Sequence, residues 1–188
     1  MPVAELEIEV PPFDIDAIDV PKGYELFDGE LVEKRSMSNL ATWVAGELYL
    51  KLNEWNRTAR IGVVLPPESE FACFPERPRD MRKPDGAFVV RDPDGFVPTS
   101  EKYKFAPELV IEILSPSNTM GDMFDRFSDY FSAGTKLIWL IDPERRFAQV
   151  YYPNFSSIKV SEHEPLSGEK ILPGFTMPLT EILPKRAS

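Results

Sequence analysis

The chain has 188 residues, about one domain's worth and enough to bury a core without covalent staples. Its formal charge of −10 argues against an electrostatic grip on nucleic acid, which depends on lysine and arginine. The acidity is local, however: residues 1–33 carry ten acids against the one base Lys22, which leaves 21 acids and 20 bases in residues 34–188.

The near-neutral body still carries no basic footprint for tight DNA binding. With Cys73 alone no internal disulfide is available, which fits a reducing compartment. The stretch MPVAELEIEV has neither a basic start nor an apolar core, so no signal peptide is expected. No apolar run approaches the ~20 residues of a membrane span. These features predict a cytoplasmic protein that makes no membrane contact.

In chain order, residues 1–22 are acidic and proline-bearing and read as an extended arm. Tyr24-Glu25-Leu26-Phe27 and Glu30-Leu31-Val32-Glu33 flank Asp28-Gly29, a strong hairpin signal. Ser36 or Ser38 can cap a helix from about Asn39 to Trp55, whose Leu40, Trp43, Val44, Leu48, Leu52 and Trp55 follow the helical period. Strands are expected at Ile61–Leu65, Ser69–Phe74, Pro84–Arg91 and, after a polar loop, Glu108–Leu114. A second helix over Gly121–Ser132 ends at Gly134, a suitable C-terminal cap. A buried strand at Lys136–Ile141, a hairpin pair at Phe147–Tyr152 and Ser157–Val160, and a closing segment at residues 171–183 complete the order. Strand, crossover helix and continuously apolar strand form a βαβ-like unit with parallel pairing. The first helix then covers the other face, so the fold class is mixed α/β.

The chemistry starts from Glu112, which interrupts the apolar run Leu109-Val110-Ile111-Glu112-Ile113-Leu114. A carboxylate there is costly to bury unless paired, protonated or metal-bound. Asp85 follows Pro84 on a strand whose inward candidates are Asp85, Ala87 and Val89. If the two strands are neighbours, the carboxylates converge, and two hard oxygen ligands suit Mg²⁺ or Mn²⁺. Such an ion polarises a phosphodiester and activates water. From spacing alone the alternative is equally open: Asp85 caps a turn and Glu112 pairs with an arginine or lysine. Glu47 falls among Leu40, Trp43, Val44 and Lys51 on the helical wheel, pointing either to the sheet or to an ion pair with Lys51.

Other features read as structural. One histidine, His163, and one cysteine exclude the usual zinc arithmetic, and no glycine-rich phosphate loop is present. Trp43, Trp55 and Trp139 are expected in the core. The stretch from Glu76 to Lys83 is the best local basic patch and directly precedes Asp85.

An ordered set of short motifs spans residues 24 to 183: Tyr24-Glu25-Leu26 with Asp28-Gly29-Glu30-Leu31-Val32, Arg82-Lys83-Pro84-Asp85, and Pro107-Glu108-Leu109-Val110-Ile111-Glu112-Ile113-Leu114-Ser115-Pro116-Ser117. It continues with Tyr130-Phe131-Ser132-Ala133-Gly134, Trp139-Leu140-Ile141-Asp142-Pro143 and Leu172-Pro173-Gly174-Phe175. This set resembles the Uma-two family of restriction-endonuclease-like proteins. The resemblance implies a PD-(D/E)XK nuclease domain over residues 23–188, with a mixed sheet flanked by helices and an N-terminal hairpin. It further implies Asp85 and Glu112 as ligands of Mg²⁺ or Mn²⁺, and hydrolysis of DNA phosphodiesters. Glu30 matches a recurrent acid of the Asp-Gly-Glu hairpin. The full motif places a lysine two residues after Glu112, where this chain has Leu114. Family members of this kind supply it from the following helix, four residues before the Tyr130 position, and here that residue is Arg126. Arginine stays protonated, so it can hold a phosphate but cannot act as a base. A catalytically silent scaffold binding protein or nucleic acid is the alternative. Nucleases that cut both strands often work as two-fold dimers, so a homodimer is expected, with parts of residues 1–22 on the partner or on the chain's own sheet edge.

Overall fold

The computed structural model describes residues 13–34, 36–92, 94–96, 98–116 and 119–186. Strands β1 (Tyr24–Phe27) and β2 (Glu30–Glu33) form an antiparallel hairpin. Its turn places Asp28 at φ 50° and Gly29 at φ 81°, the left-handed pair that a two-residue Asp-Gly turn requires. Helix α1 (Asn39–Ala59) follows, with the Ser38 side chain accepting from the Ala41 N–H at its start. Next come β3 (Val63–Leu65), β4 (Gly86–Val89), β5 (Leu109–Ile113), helix α2 (Met120–Ala133) and β6 (Leu137–Asp142). Strands β7 (Phe147–Tyr151), β8 (Ser157–Ser161), β9 (Pro165–Ser167) and β10 (Thr176–Pro178) close the chain.

Strands β3 to β8 form one six-stranded sheet in sequence order, antiparallel except for the β5–β6 pair. That parallel pair is the βαβ unit expected from the sequence. Alternation along β5 and β6 distributes their apolar residues between two layers. Leu109, Ile111, Ile113, Leu137, Trp139 and Ile141 share a buried cluster with Val44, Leu48 and Leu52 of α1. Val110, Ile138 and Leu140 pack with Met123, Phe127 and Tyr130 of α2. Truncating one of these leucines to alanine costs roughly 2–5 kcal/mol. Glu112 therefore shares the α2 side of the sheet with Val110.

Several expectations are corrected in detail. The buried stripe of α1 is Ala41, Val44, Ala45, Leu48 and Leu52, shifted from the one expected. Alanine at 41 and 45 brings the helix close to the sheet and turns Trp43 outward, 58% exposed. The helix runs to Ala59 because no stop signal precedes Arg60, which adopts the left-handed conformation and caps it. Ser69–Phe74 is no strand: Phe71 alone makes isolated bridges, to Arg82 and Tyr103, between Pro66-Pro67 and Pro75, which cannot donate ladder bonds. Helix α2 does end at Gly134, in the left-handed region at φ 112°.

Of the N-terminal arm, residues 1–12 lie outside the described residues. Residues 13–22 sit against their own chain: Ile15 and Val20 pack with Leu26 and Met81. The Lys102 ammonium donates to the Ile18 carbonyl at 2.8 Å. Among the described residues no helix is long and apolar enough to cross a membrane.

Candidate active site

The β4–β5 ladder sets the site. Gly86 faces Ile111, so one step beyond the ladder Asp85 faces Glu112. Directly opposed residues on one face hold their Cβ atoms about 4.5–5.5 Å apart. Both are buried, at 5% and 3% exposure. The Ile113 N–H donates to Asp85 Oδ2 at 2.9 Å, locking that carboxylate to the neighbouring strand. Both acids line a cavity of about 360 Å³ between the β1–β2 hairpin, the end of the sheet and α2.

Helix α2 delivers Arg126 and Tyr130, one turn apart, onto Glu112. Arg126 donates to Glu112 Oε1 through Nη2 at 2.8 Å and Nε at 3.1 Å. Its Nη1 binds Glu25 Oε2, and Tyr130 donates its hydroxyl to Glu112 Oε1 at 3.2 Å. All three donors to Glu112 converge on Oε1; among the described residues none reaches Oε2. Glu25, in the middle of β1, is filled on its other oxygen by the Lys83 N–H at 2.6 Å. It acts as a clamp on Arg126 with no oxygen to spare. Lys34, immediately after β2, donates to Asp85 Oδ1 at 2.8 Å and to the Lys83 carbonyl at 2.7 Å. Behind this set, Arg82 holds Asp129 of α2 through Nη2 at 2.6 Å and Nε at 3.0 Å.

The electrostatics follow from burial and these partners. Burial raises the Glu112 pKa above its ordinary value; Arg126 opposes the rise and the neighbouring Asp85 charge adds to it. Burial works against the Glu25 charge too, but Arg126 and the Lys83 N–H outweigh it and lower the pKa. Lys34 is penalised by burial, yet Asp85 and Glu112 raise its pKa overall. Burial pushes the Tyr130 hydroxyl well up, so it stays a donor. Among the described residues, the cavity wall carries six acids (Glu25, Glu33, Asp85, Glu112, Asp122, Asp125) against Lys34, Arg82 and Arg126. A phosphate meets net negative charge there unless a further cation is present.

Of the residues singled out in the sequence, Asp85, Glu112 and Arg126 come together. Glu30 lies exposed at the turn end of β2 and does not line the cavity. Glu47 is on the outer face of α1 with Trp43 and Leu50, and Lys51 pairs with Glu181 at 2.7 Å. The Lys83 ammonium points away, to Glu70 at 3.1 Å and Glu68 at 3.4 Å, while its backbone serves the site. In the basic patch, Arg77 and Arg79 stack over Phe27 and Phe13. Two members were missed. Glu25 carries the same signal as Glu112, an acid inside an apolar strand, and that test finds it. Lys34, one residue past a strand, carries no signal without the tertiary structure.

Among the described residues no group of three or more histidine, cysteine, aspartate or glutamate side chains is arranged to hold a metal ion. Magnesium is commonly bound by one or two carboxylates while keeping several waters. Glu112 Oε2, which no donor among the described residues reaches, and Asp85 Oδ1, held by the Lys34 ammonium, fit that donor set.

The chain is similar to a protein from Anabaena variabilis whose crystal structure is described as "a putative nuclease belonging to DUF820". The two share 18% identity and a TM-score of 0.75, over 91% of this chain and 97% of the other. This likeness shows that the two chains share one fold, the mixed sheet with its two helices and hairpin. No curated protein matches the chain. Residues 17–180 match the Uma2 family, described as "Putative restriction endonuclease". With most of its length matched, the chain belongs to the Uma2 family.

Proposed function

We propose that the protein is a divalent-metal-dependent endonuclease that hydrolyses DNA phosphodiester bonds at the cavity between the hairpin and the sheet. The observation that carries this reading is the pairing of Asp85 with Glu112 across β4 and β5 at the cavity wall, in a chain of the Uma2 family. Mg²⁺ or Mn²⁺ on these two carboxylates supplies Lewis acidity and the positive charge that the acidic wall lacks. Arg126 and Tyr130 hold Glu112 by Oε1 and so present Oε2 to the cavity. The Ile113 N–H fixes Asp85 in the same way through Oδ2. Glu25 keeps the Arg126 fork in place. No role is assigned to Glu30. A cytoplasmic homodimer acting on both strands remains part of this proposal.

A second reading rests on Arg126. Its guanidinium is engaged by Glu25 and Glu112 and cannot serve as a base, which favours a nuclease-fold scaffold without catalysis. Plasmid nicking separates the two. The intact chain with Mn²⁺ or Mg²⁺ is expected to nick and linearise plasmid DNA, and Asp85→Ala and Glu112→Ala are expected to remove the activity. A folded chain that leaves DNA intact with either ion supports the scaffold. Cleavage surviving in Glu112→Ala places the chemistry elsewhere.

A further inference from the structure

Two cations of the site, Arg126 and Lys34, are held in different ways. Arg126 is fixed on four sides, by Glu25, Glu112, the Lys83 carbonyl and Tyr130, so its fork has no freedom to turn toward a ligand. Lys34 is tied at its backbone, where its N–H donates to the Gly23 carbonyl at 2.8 Å. Its ammonium at the far end of a four-carbon stem has two partners, Asp85 Oδ1 and the Lys83 carbonyl. Its side chain retains 13% exposure, on the cavity side.

The division of the Asp85 carboxylate gives this contact its meaning. Oδ2 is committed to the Ile113 N–H, so Oδ1 is the oxygen open to a ligand, and that is the oxygen Lys34 holds. A divalent cation bound at Asp85 has to share Oδ1 with a positive ammonium or take it over. The position two residues after Glu112 is the apolar Leu114, which packs with the α2 cluster. No ammonium comes from that strand.

Building on the nuclease reading, we propose that Lys34 is a resident competitor for the divalent cation at Asp85 and, once displaced from Oδ1, the ammonium that contacts the substrate phosphate. The hairpin thus provides the mobile point charge that neither Leu114 nor the fixed Arg126 can. Lysine suits this because its strongly hydrated ammonium rides on a flexible stem, whereas the planar arginine fork stays where its carboxylates hold it.

The test uses the full chain with Mn²⁺, its binding measured by the electron paramagnetic resonance of the free ion. Lys34→Met removes the charge, and Lys34→Gln removes it while keeping a donor for the Lys83 carbonyl in case the methionine variant fails to fold. Circular dichroism melts check folding. A folded variant is expected to bind Mn²⁺ at least five-fold more tightly than the unmodified chain. Its DNA cleavage at saturating Mn²⁺ is expected to fall at least ten-fold. A merely structural lysine would not tighten binding of the ion, so unchanged or weaker affinity overturns the assignment even if the unmodified chain cleaves DNA. Tighter binding with cleavage undiminished overturns the phosphate contact. Tighter binding with no cleavage by any chain supports the competition at Asp85 and overturns the nuclease reading. Mn²⁺ bound by none of the chains overturns both.

Discussion

Replacing Arg126 with methionine removes a group that bridges β1, β5 and α2 at the site. The stem volume is nearly kept, so the loss is chiefly electrostatic. Glu112 retains the Tyr130 hydroxyl, and Glu25 retains the Lys83 N–H and a more distant Arg82 at 3.6 Å. Both carboxylates nevertheless lose their charge-assisted donor in a buried setting. Breaking one partner out of a buried ion pair costs about 3–5 kcal/mol, which for a chain of this size lowers the melting temperature by roughly 6–20 °C. Arg126→Lys keeps the charge but offers a single point in place of the fork. It cannot serve Glu25 and Glu112 equally, and the expected loss is about 1–3 kcal/mol. The sign of the pH dependence follows from Glu25. Its folded pKa lies below the ordinary 4.5, so its contribution is present above the unfolded value and fades as pH falls through the folded one. In Arg126→Met both acids lose the charge that favoured their ionised forms, so protonation as the pH falls relieves part of the penalty. Equilibrium urea unfolding followed by tryptophan fluorescence, at pH 7 and pH 4, reads both quantities. A loss under about 1 kcal/mol at pH 7, well short of the buried-pair range, refutes the account of Arg126 as the keystone. So does a gap between the two chains that fails to narrow at pH 4.

Cys73 tests burial at the edge of the α2 layer: its thiol is pushed up to about 12 by burial. Alkylation at pH 8 should therefore be on the order of 100-fold slower in the native chain than in urea, and equal rates would show the segment to be open. Gly62 tests the approach of the α1–β3 connection to the sheet, because an added Cβ would collide with the Val89 carbonyl and the Phe88 ring. Gly62→Ala should cost about 1–3 kcal/mol through overpacking; calorimetry showing an unchanged melting temperature would contradict that packing.

What the sequence by itself determined was mostly local. The Asp28-Gly29 turn needs left-handed backbone, Ser38 can accept from the first turn of α1, and Gly134 permits the α2 stop; each is set by a few neighbouring residues. The strand, helix, strand order from Leu109 to Asp142 sufficed for the parallel pair, because a crossover of that length returns the chain in the same direction. Glu112 was conspicuous because an acid in an apolar strand needs a partner wherever it goes. Longer-range relations decided the rest. Whether Trp43 or Ala41 faces the sheet depends on how closely α1 can approach it, which no helical wheel contains. Phe71 bridges two segments without forming a strand because the chain around it is turned by prolines. The site itself is assembled from Glu25 and Lys34 of the hairpin, Asp85 beside β4, Glu112 on β5 and Arg126 on α2. Their sharing of charge depends on register and burial, and a distance of 101 positions separates Arg126 from the glutamate that fixes it. Only the folded chain brings those two charges out of water together, and low dielectric makes their pairing decisive.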